Sequence, residues 1–345
     1  MKKFILGVAS IAVVITSLAG CTSVTSVVKS VTGKVVEKNI LTGLEGSNGP
    51  VLAVKIDDTS QAHPQIGLES ADVIYIEQVE GGLTRLATIF STPGRLPALI
   101  GPVRSARISD MDILAQYGHV AFAFSGAQTK LFPVINSANL ENLGAEREPA
   151  TMYSRDQTRN APTNLILHPQ LLLDKAKSEG KNIDIVKSVG WKFGPLPVGG
   201  TAISSVAFKW PASRYSATWS ATEKRWLIAY QGSPDLSADG SQLGSPTLII
   251  QKVMITPSEY HDKAGGVTPF SNTVGSGSAY LLRDGQMIPI FWNRETAQSP
   301  TTWTLKDGSS ANFAPGQIWI ALTDNDPVFT YPEVKTATPG PTNSK

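Results

Sequence analysis

The sequence predicts an α+β (or α/β) N-terminal domain followed by a mostly antiparallel β C-terminal domain. Three observations predict it. Between Val51 and Gly180, short apolar runs interleave with helix signals, the pattern of strands mixed with helices around one core. From about Ile203 onward helical periodicity disappears. In its place come alternating apolar runs joined by Asp284-Gly285 and Asp307-Gly308, and Asp-Gly between such runs is a strong hairpin signal.

Element by element, Val51-Leu-Ala-Val-Lys-Ile56 reads as a buried strand ending at Asp57-Asp58. Ala71–Glu80 alternates as a second strand, Gly81-Gly82 breaks it, and Thr84–Ser91 follows as the return arm of an antiparallel hairpin. Ser109 is the expected cap of a helix with acids in its first turn. His119–Phe124 alternates as a strand. His168-Pro169 opens another helix, since proline loses no hydrogen bond at the first helical position, and Gly180 ends it. In the second half, Thr218–Ser220 and Arg225–Tyr230 flank a turn at Ala221–Lys224. Leu248–Ile255 is a β-branched run; Ala279–Leu282 pairs with Met287–Trp292, and Trp303–Leu305 with Ala311–Phe313; Gln317–Leu322 supplies a last strand.

The first residues carry an export pattern. Lys2 and Lys3 precede an apolar run from Phe4 to Leu18, shorter than the roughly 20 residues a membrane span needs. The run ends in Leu18-Ala19-Gly20-Cys21. Small residues before a cysteine let a peptidase approach, and the thiol accepts diacylglycerol through a thioether. Cys21 is therefore the expected lipidation site, with the mature chain lipid-anchored at the extracytoplasmic face of a bacterial cell membrane. The alternative is an ordinary secretory signal with a chance cysteine. The expected boundaries are 1–20 signal peptide, 21–48 lipidated stalk, 49–200 first domain, 201–326 second domain and 327–345 flexible tail. Within the stalk, Val24, Val28, Val31 and Val35 fall at helical spacing, but β-branched residues form helices poorly. A short helix or an added strand is the alternative there.

Cys21 is the single cysteine, which excludes disulfides, thiol catalysis and a cysteine zinc site in the mature chain. Without Lys2 and Lys3 the side chains balance, 28 basic against 28 acidic. No long basic run occurs, so neither nucleic acid nor a polybasic membrane patch is an expected partner. The four histidines have no metal-ligand spacing, and no Gly-x-Ser-x-Gly elbow, phosphate loop or dinucleotide fingerprint is present. No metal and no cofactor is expected.

Candidate site residues concentrate in the first half. Arg104 and Arg107, with Ser105 between them, stand just before a helix start. Guanidinium forks and free helix N–H groups both suit an anion there. Arg155, Asp156 and Arg159, leading to Asn164, form a second group; Asp57 and Asp58 a third; Glu77, Glu80 and Arg85, around the Gly-Gly turn, a fourth. For each, pairing of arginines with nearby acids to hold loops in place is the competing reading.

These residues also carry a family resemblance. Val54-Lys-Ile-Asp57, Pro64-Gln65, Val79-Glu-Gly-Gly82, Thr84-Arg85, Gly101-Pro102, Arg104-Ser-Ala-Arg107, Arg155-Asp156, Arg159, Ala161-Pro162 and Asn164 resemble the YerB-like bacterial lipoproteins, whose domain of unknown function has an N-terminal and a C-terminal part. The resemblance spans about residues 41 to 325. His63 stands where that pattern has Arg, Asp58 where Asn is common, Thr163 where His often precedes Asn164, and Ser125-Gly126-Ala127 replaces a Gly-Gly element. Thr163 thus argues against a histidine mechanism. The resemblance implies architecture and compartment but brings no reaction. Two functions follow as expectations. One is a lipid-anchored binding or assembly module for an anionic or cell-wall ligand, its partner a wall polymer or envelope protein. The other is an envelope enzyme acting on a phosphate- or sugar-containing polymer or lipid-linked precursor, with Asp57 or Glu80 as acid, base or metal ligand.

Overall fold

Leu52–Asp57 is apolar except for Lys55 and Asp57, both ion-paired, and the whole run is buried. Burial on both faces makes it an interior strand. It is β1 of a computed structural model that describes residues 36–186 and 188–333. The other strands of the first half are β2 (Val73–Gln78), β3 (Thr84–Phe90), β4 (Val120–Ala123), β5 (Leu140–Asn142), β6 (Tyr153–Arg155) and β7 (Leu165–Leu167). Those of the second half begin with β8 (Thr201–Ala202), β9 (Ser205–Lys209), β10 (Arg214–Ser220), β11 (Arg225–Tyr230), β12 (Ser233–Pro234), β13 (Gly244–Ser245) and β14 (Thr247–Lys252). They continue with β15 (Met254–His261), β16 (Val267–Asn272), β17 (Gly275–Arg283), β18 (Gln286–Arg294), β19 (Thr302–Thr304), β20 (Ile318–Thr323) and β21 (Val328–Thr330). The helices are α1 (Ile108–Ala115), α2 (Phe132–Ser137) and α3 (Pro169–Ser178).

The fold is mostly β. A mixed 11-stranded sheet runs β19-β18-β17-β14-β20-β2-β3-β1-β4-β5, with β8 beside β18. Strands β2 and β3 form the expected antiparallel hairpin. Asp284 and Gly285, both at positive φ, turn β17 into β18 as a two-residue hairpin requires. A smaller antiparallel sheet, β12-β11-β10-β9-β21, includes the hairpin read at Ala221–Lys224.

Alternation along the strands sorts the core into two layers. Val54, Ile56, Ile74, Leu86, Leu248 and Trp319 face the small sheet, meeting Trp210, Tyr215 and Trp226, with Leu172 of α3 in the same layer. Val73, Tyr75, Ala87, Phe122, Ile249 and Ile320 face the other way, against Ile113 of α1 and Ile135 of α2. Full burial of each large apolar side chain contributes roughly 1.5–3 kcal/mol.

Several expectations are corrected. The texture change at 201 does not separate two closed cores: β20 lies between β14 and β2, parallel to both, so one sheet runs through both halves. The described residues from Lys38 to Glu333 accordingly form one compact unit. Because β20 pairs in parallel on both sides, the second half is antiparallel only in the main. In the first half β1, β2 and β3 connect without α-helices, which favours α+β over α/β. The stalk, expected to reach residue 48, ends earlier. Leu41 and Thr42 are buried, and Asn39 Oδ1 accepts the backbone N–H groups of both. The tail expected from 327 begins with β21, which pairs with β9. Helix α1 starts one residue before Ser109, with Arg107 at its N-cap; Asp110, not Ser109, accepts the Arg107 N–H at 2.6 Å. Ser109 is instead buried, its hydroxyl oxygen accepting the Ser271 N–H. Ala311–Phe313 forms no named strand; the turn closes by the Leu305–Ser309 bond and a bridge at Ser310. The signal peptide and Cys21 lie outside the described residues.

Candidate functional site

Strand ends build the site. Asp57 on β1 and Glu77 on β2 both stand in register with Arg85 on β3, so alternation puts all three on the face that carries α1 and α2. Lys55 shares it, two residues before Asp57. The segment 101–107 then runs beside β1. The Asp57 N–H donates to Pro102 O and the Arg104 N–H to Lys55 O, at 2.9 and 2.8 Å. On its other side the Ser125 N–H donates to Arg104 O and the Ala106 N–H to Gly126 O. This placement brings Arg104, Ser105 and Arg107 over the polar end of the sheet, where β1 and β4 end side by side. Ligands of sheets with parallel strands characteristically sit at such carboxyl ends.

The Gly-Gly turn supplies Glu80. Gly82 has φ +70°, and a Cβ there would lie 2.5 Å from Pro211 Cβ, so only glycine fits. Glu80 Oε2 accepts from Arg107 Nε and Nη2 at 2.8 and 2.7 Å, and its other oxygen accepts the Thr268 hydroxyl. Burial opposes ionisation of Glu80, but the hydrogen bonds and charge of Arg107 hold its carboxyl below the usual range. Arg104 Nε pairs with Asp57 Oδ2 at 2.9 Å. Deeper still, Lys55 is fully buried and ion-paired with Glu77 and Asp110. Burial nevertheless lowers it to about 8.

Arg85 differs from these. It is 8% exposed, and its guanidinium donates from Nη1 to Ser105 O at 2.8 Å. No carboxylate of the described residues lies within 4.0 Å of it. Burial, then the charges of Arg107 and Arg104, push it down to about 9, outweighing Asp57 and Glu80. A desolvated cation in net positive surroundings is a site that an anion would stabilise.

Arg85, Arg104 and Arg107 open on one cleft of about 750 Å³, within the range of ligand pockets. Glu80, Ser105 and the loop Ser125–Thr129 line it, and so does the end of the β15–β16 ribbon from Tyr260 to Ala264, with Thr268. The sequence reading missed the ribbon: Asp262-Lys-Ala-Gly-Gly266 is an ordinary turn composition, and nothing local places it beside Arg85.

The remaining candidates lie elsewhere. Asp58 is fully buried and accepts from Tyr215 Oη at 2.7 Å, from Gln65 Nε2 at 3.2 Å and from the Thr84 hydroxyl. His63 sits between Asp58 and Asp235, at 3.3 and 2.9 Å, stacked on Tyr230. Burial opposes its protonation, but hydrogen bonds to Asp235 and Asp58 raise it to about 9. Arg155 donates to Asn164 Oδ1 at 2.7 Å. Arg159 pairs with Asp156 and donates to Ala62 O and Pro64 O at 2.9 and 2.5 Å. That loop between β6 and β7 does not line the cleft.

Fold and motifs together define a family, and the chain belongs to it. Residues 41–182 match the N-terminal domain, and residues 205–320 the C-terminal domain, of DUF3048, a protein family of unknown function. Among its relatives is YerB of Bacillus subtilis (strain 168), named as a lipoprotein and 41% identical over 56 residues, 16% of each chain. The crystal structure of the YerB protein from Bacillus subtilis matches with a TM-score of 0.71 at 19% identity, over 84% of this chain and 97% of that one. That likeness is one of fold.

Proposed function

We propose that this chain is a lipoprotein held through Cys21 at the extracytoplasmic face of a bacterial membrane, where its arginine cleft binds an anionic ligand of the cell envelope. The observation that carries the binding reading is Arg85: a buried guanidinium without a carboxylate partner among the described residues, opening on a cleft of about 750 Å³. Around it, carboxylates already hold the two neighbouring arginines in place, Asp57 on Arg104 and Glu80 on Arg107. Such carboxylates orient donors rather than transfer protons. Ser105, the hydroxyl nearest the arginines in sequence, donates to Ser125 O at 2.8 Å, and among the described residues no histidine, lysine or carboxylate is hydrogen-bonded to it. Binding or assembly therefore stands ahead of an enzyme acting on phosphate- or sugar-containing polymers, which would need Asp57 or Glu80 free.

Thermal denaturation with added pyrophosphate tests the cleft. The unaltered protein gains several degrees, and Arg85→Ala loses the gain while keeping its circular dichroism. An equal gain in Arg85→Ala rejects the site. The anchor is tested separately: Cys21→Ser, expressed in bacteria, moves from membrane to soluble fraction, and mass spectrometry finds acyl chains only on the cysteine form.

A further inference from the structure

Resting on that reading, we infer that the cleft takes a polyanion of repeating phosphate diesters joined by hydroxylated linkers, engaging two successive charges. One is held at Arg85 on the floor, the next at Lys263 on the tip of the β15–β16 ribbon. Size is the first argument. A single oxyanion fills only a few water volumes of about 30 Å³ each, far less than the cleft of about 750 Å³. Charge is the second. Lys263 lines the same cleft from its exposed wall, and no carboxylate of the described residues pairs with it. Its neighbour Asp262 is occupied with the turn, Oδ1 accepting the N–H groups of Ala264 and Gly266 at 2.9 and 2.7 Å. The cleft thus has a buried cation and an exposed one on separate elements, as two charges spaced along a chain require.

Oxyanion shape is the third argument. A planar carboxylate is matched by one guanidinium fork. Here three arginines from separate backbone positions serve one cleft, a set that suits the several oxygens of a phosphate. The lining also offers hydroxyls and small apolar groups, among them Thr59, Ser125, Ala127 and Thr129, which suit an uncharged polyol linker, while its carboxylates Glu80 and Asp262 are already engaged by Arg107 and Thr268 and by the ribbon turn. The ribbon is tied to this machinery: Thr268, close to its tip, donates to Glu80, the carboxylate that holds Arg107.

Calorimetric titration of the full chain with glycerol 3-phosphate and with a soluble oligo(glycerol phosphate) tests this. The oligomer binds at least tenfold more tightly than the monomer. Lys263→Ala lowers oligomer affinity about fivefold and leaves the monomer unchanged, and Lys263→Glu lowers it further. Equal affinity for the two probes, or an unaltered oligomer affinity in Lys263→Ala, overturns the two-charge site. So does equal competition by a poly-glutamate of matched charge. Vesicles of phosphatidylglycerol separate a lipid headgroup from a soluble polymer, and binding to vesicles alone also overturns the proposal. If Arg85→Ala keeps full affinity for both soluble probes, the arginine cleft itself is wrong, an outcome distinct from failure at Lys263.

Discussion

The segments 101–107 and 155–164 each set two arginines a few residues apart near a proline, and the fold uses them in opposite ways. In the second, Arg159 spends its donors on Asp156, Ala62 O and Pro64 O, and Arg155 spends one on Asn164. The arginines there fasten one loop to another. In the first, Arg104 and Arg107 are each braced by one carboxylate and still face a cleft, with Arg85 beneath them. The difference teaches that residue type and spacing do not mark a binding arginine. What marks it is where the fold sends the guanidinium: Arg85, Arg104 and Arg107 line the cleft, and Arg155 and Arg159 do not.

The largest expected effect lies on the braced side. Arg107→Ala leaves Glu80 buried without its cation, and breaking a buried pair costs about 3–5 kcal/mol; urea denaturation reads it. A much smaller loss means Glu80 is solvated, and the contrast with the surface loop weakens. Next comes the closed network around His63, which lies outside the arginine cleft. Its protonated value, about 9, lies above the ordinary 6.5. Its contribution to stability is therefore fully present below pH 6.5 and lost as pH rises through 9, at most about 3 kcal/mol. His63→Gln flattens that part of the stability–pH curve. Arg159→Ala costs about 1–3 kcal/mol through stranded carbonyls and leaves pyrophosphate affinity unchanged; a parallel fall in affinity breaks the comparison. The smallest effect sharpens it. Because Arg85 is pushed down to about 9, anion affinity declines above that pH by up to about tenfold per pH unit. Calorimetry between pH 7.5 and 10.5 follows the decline, which an arginine of ordinary pKa does not show.

Local chemistry made much of the fold legible. The turns at Gly81-Gly82, Ala221–Lys224 and Asp284-Gly285 each join the strands that flank them in sequence. The partner of Gln317–Leu322 was not legible, because periodicity says that a strand exists and not which distant strand it joins. Hence two domains were expected where β14, β20 and β2 make one sheet. Asn39 capping the Leu41–Thr42 turn was hidden in a Ser- and Val-rich stretch that reads as a stalk. At the site, Arg85, Arg104 and Arg107 were visible as motifs and do meet. Asp58 looked equivalent to Asp57, yet strand alternation sends it to the opposite side, toward Tyr215 and His63. Lys263 gave no signal, since its role depends entirely on where the ribbon lands.

Strand β20 comes after every other strand of the large sheet in chain order and sits at the middle of that sheet. Until it arrives, β2 and β14 each present an open edge with buried, apolar side chains, the kind of edge that recruits strands from other molecules. A product cut short before Ile318 is therefore a seed for aggregation rather than a smaller working version, and neither half is a candidate for separate expression. Whether Ile318–Thr323 has been made thus decides whether the large sheet can close at all.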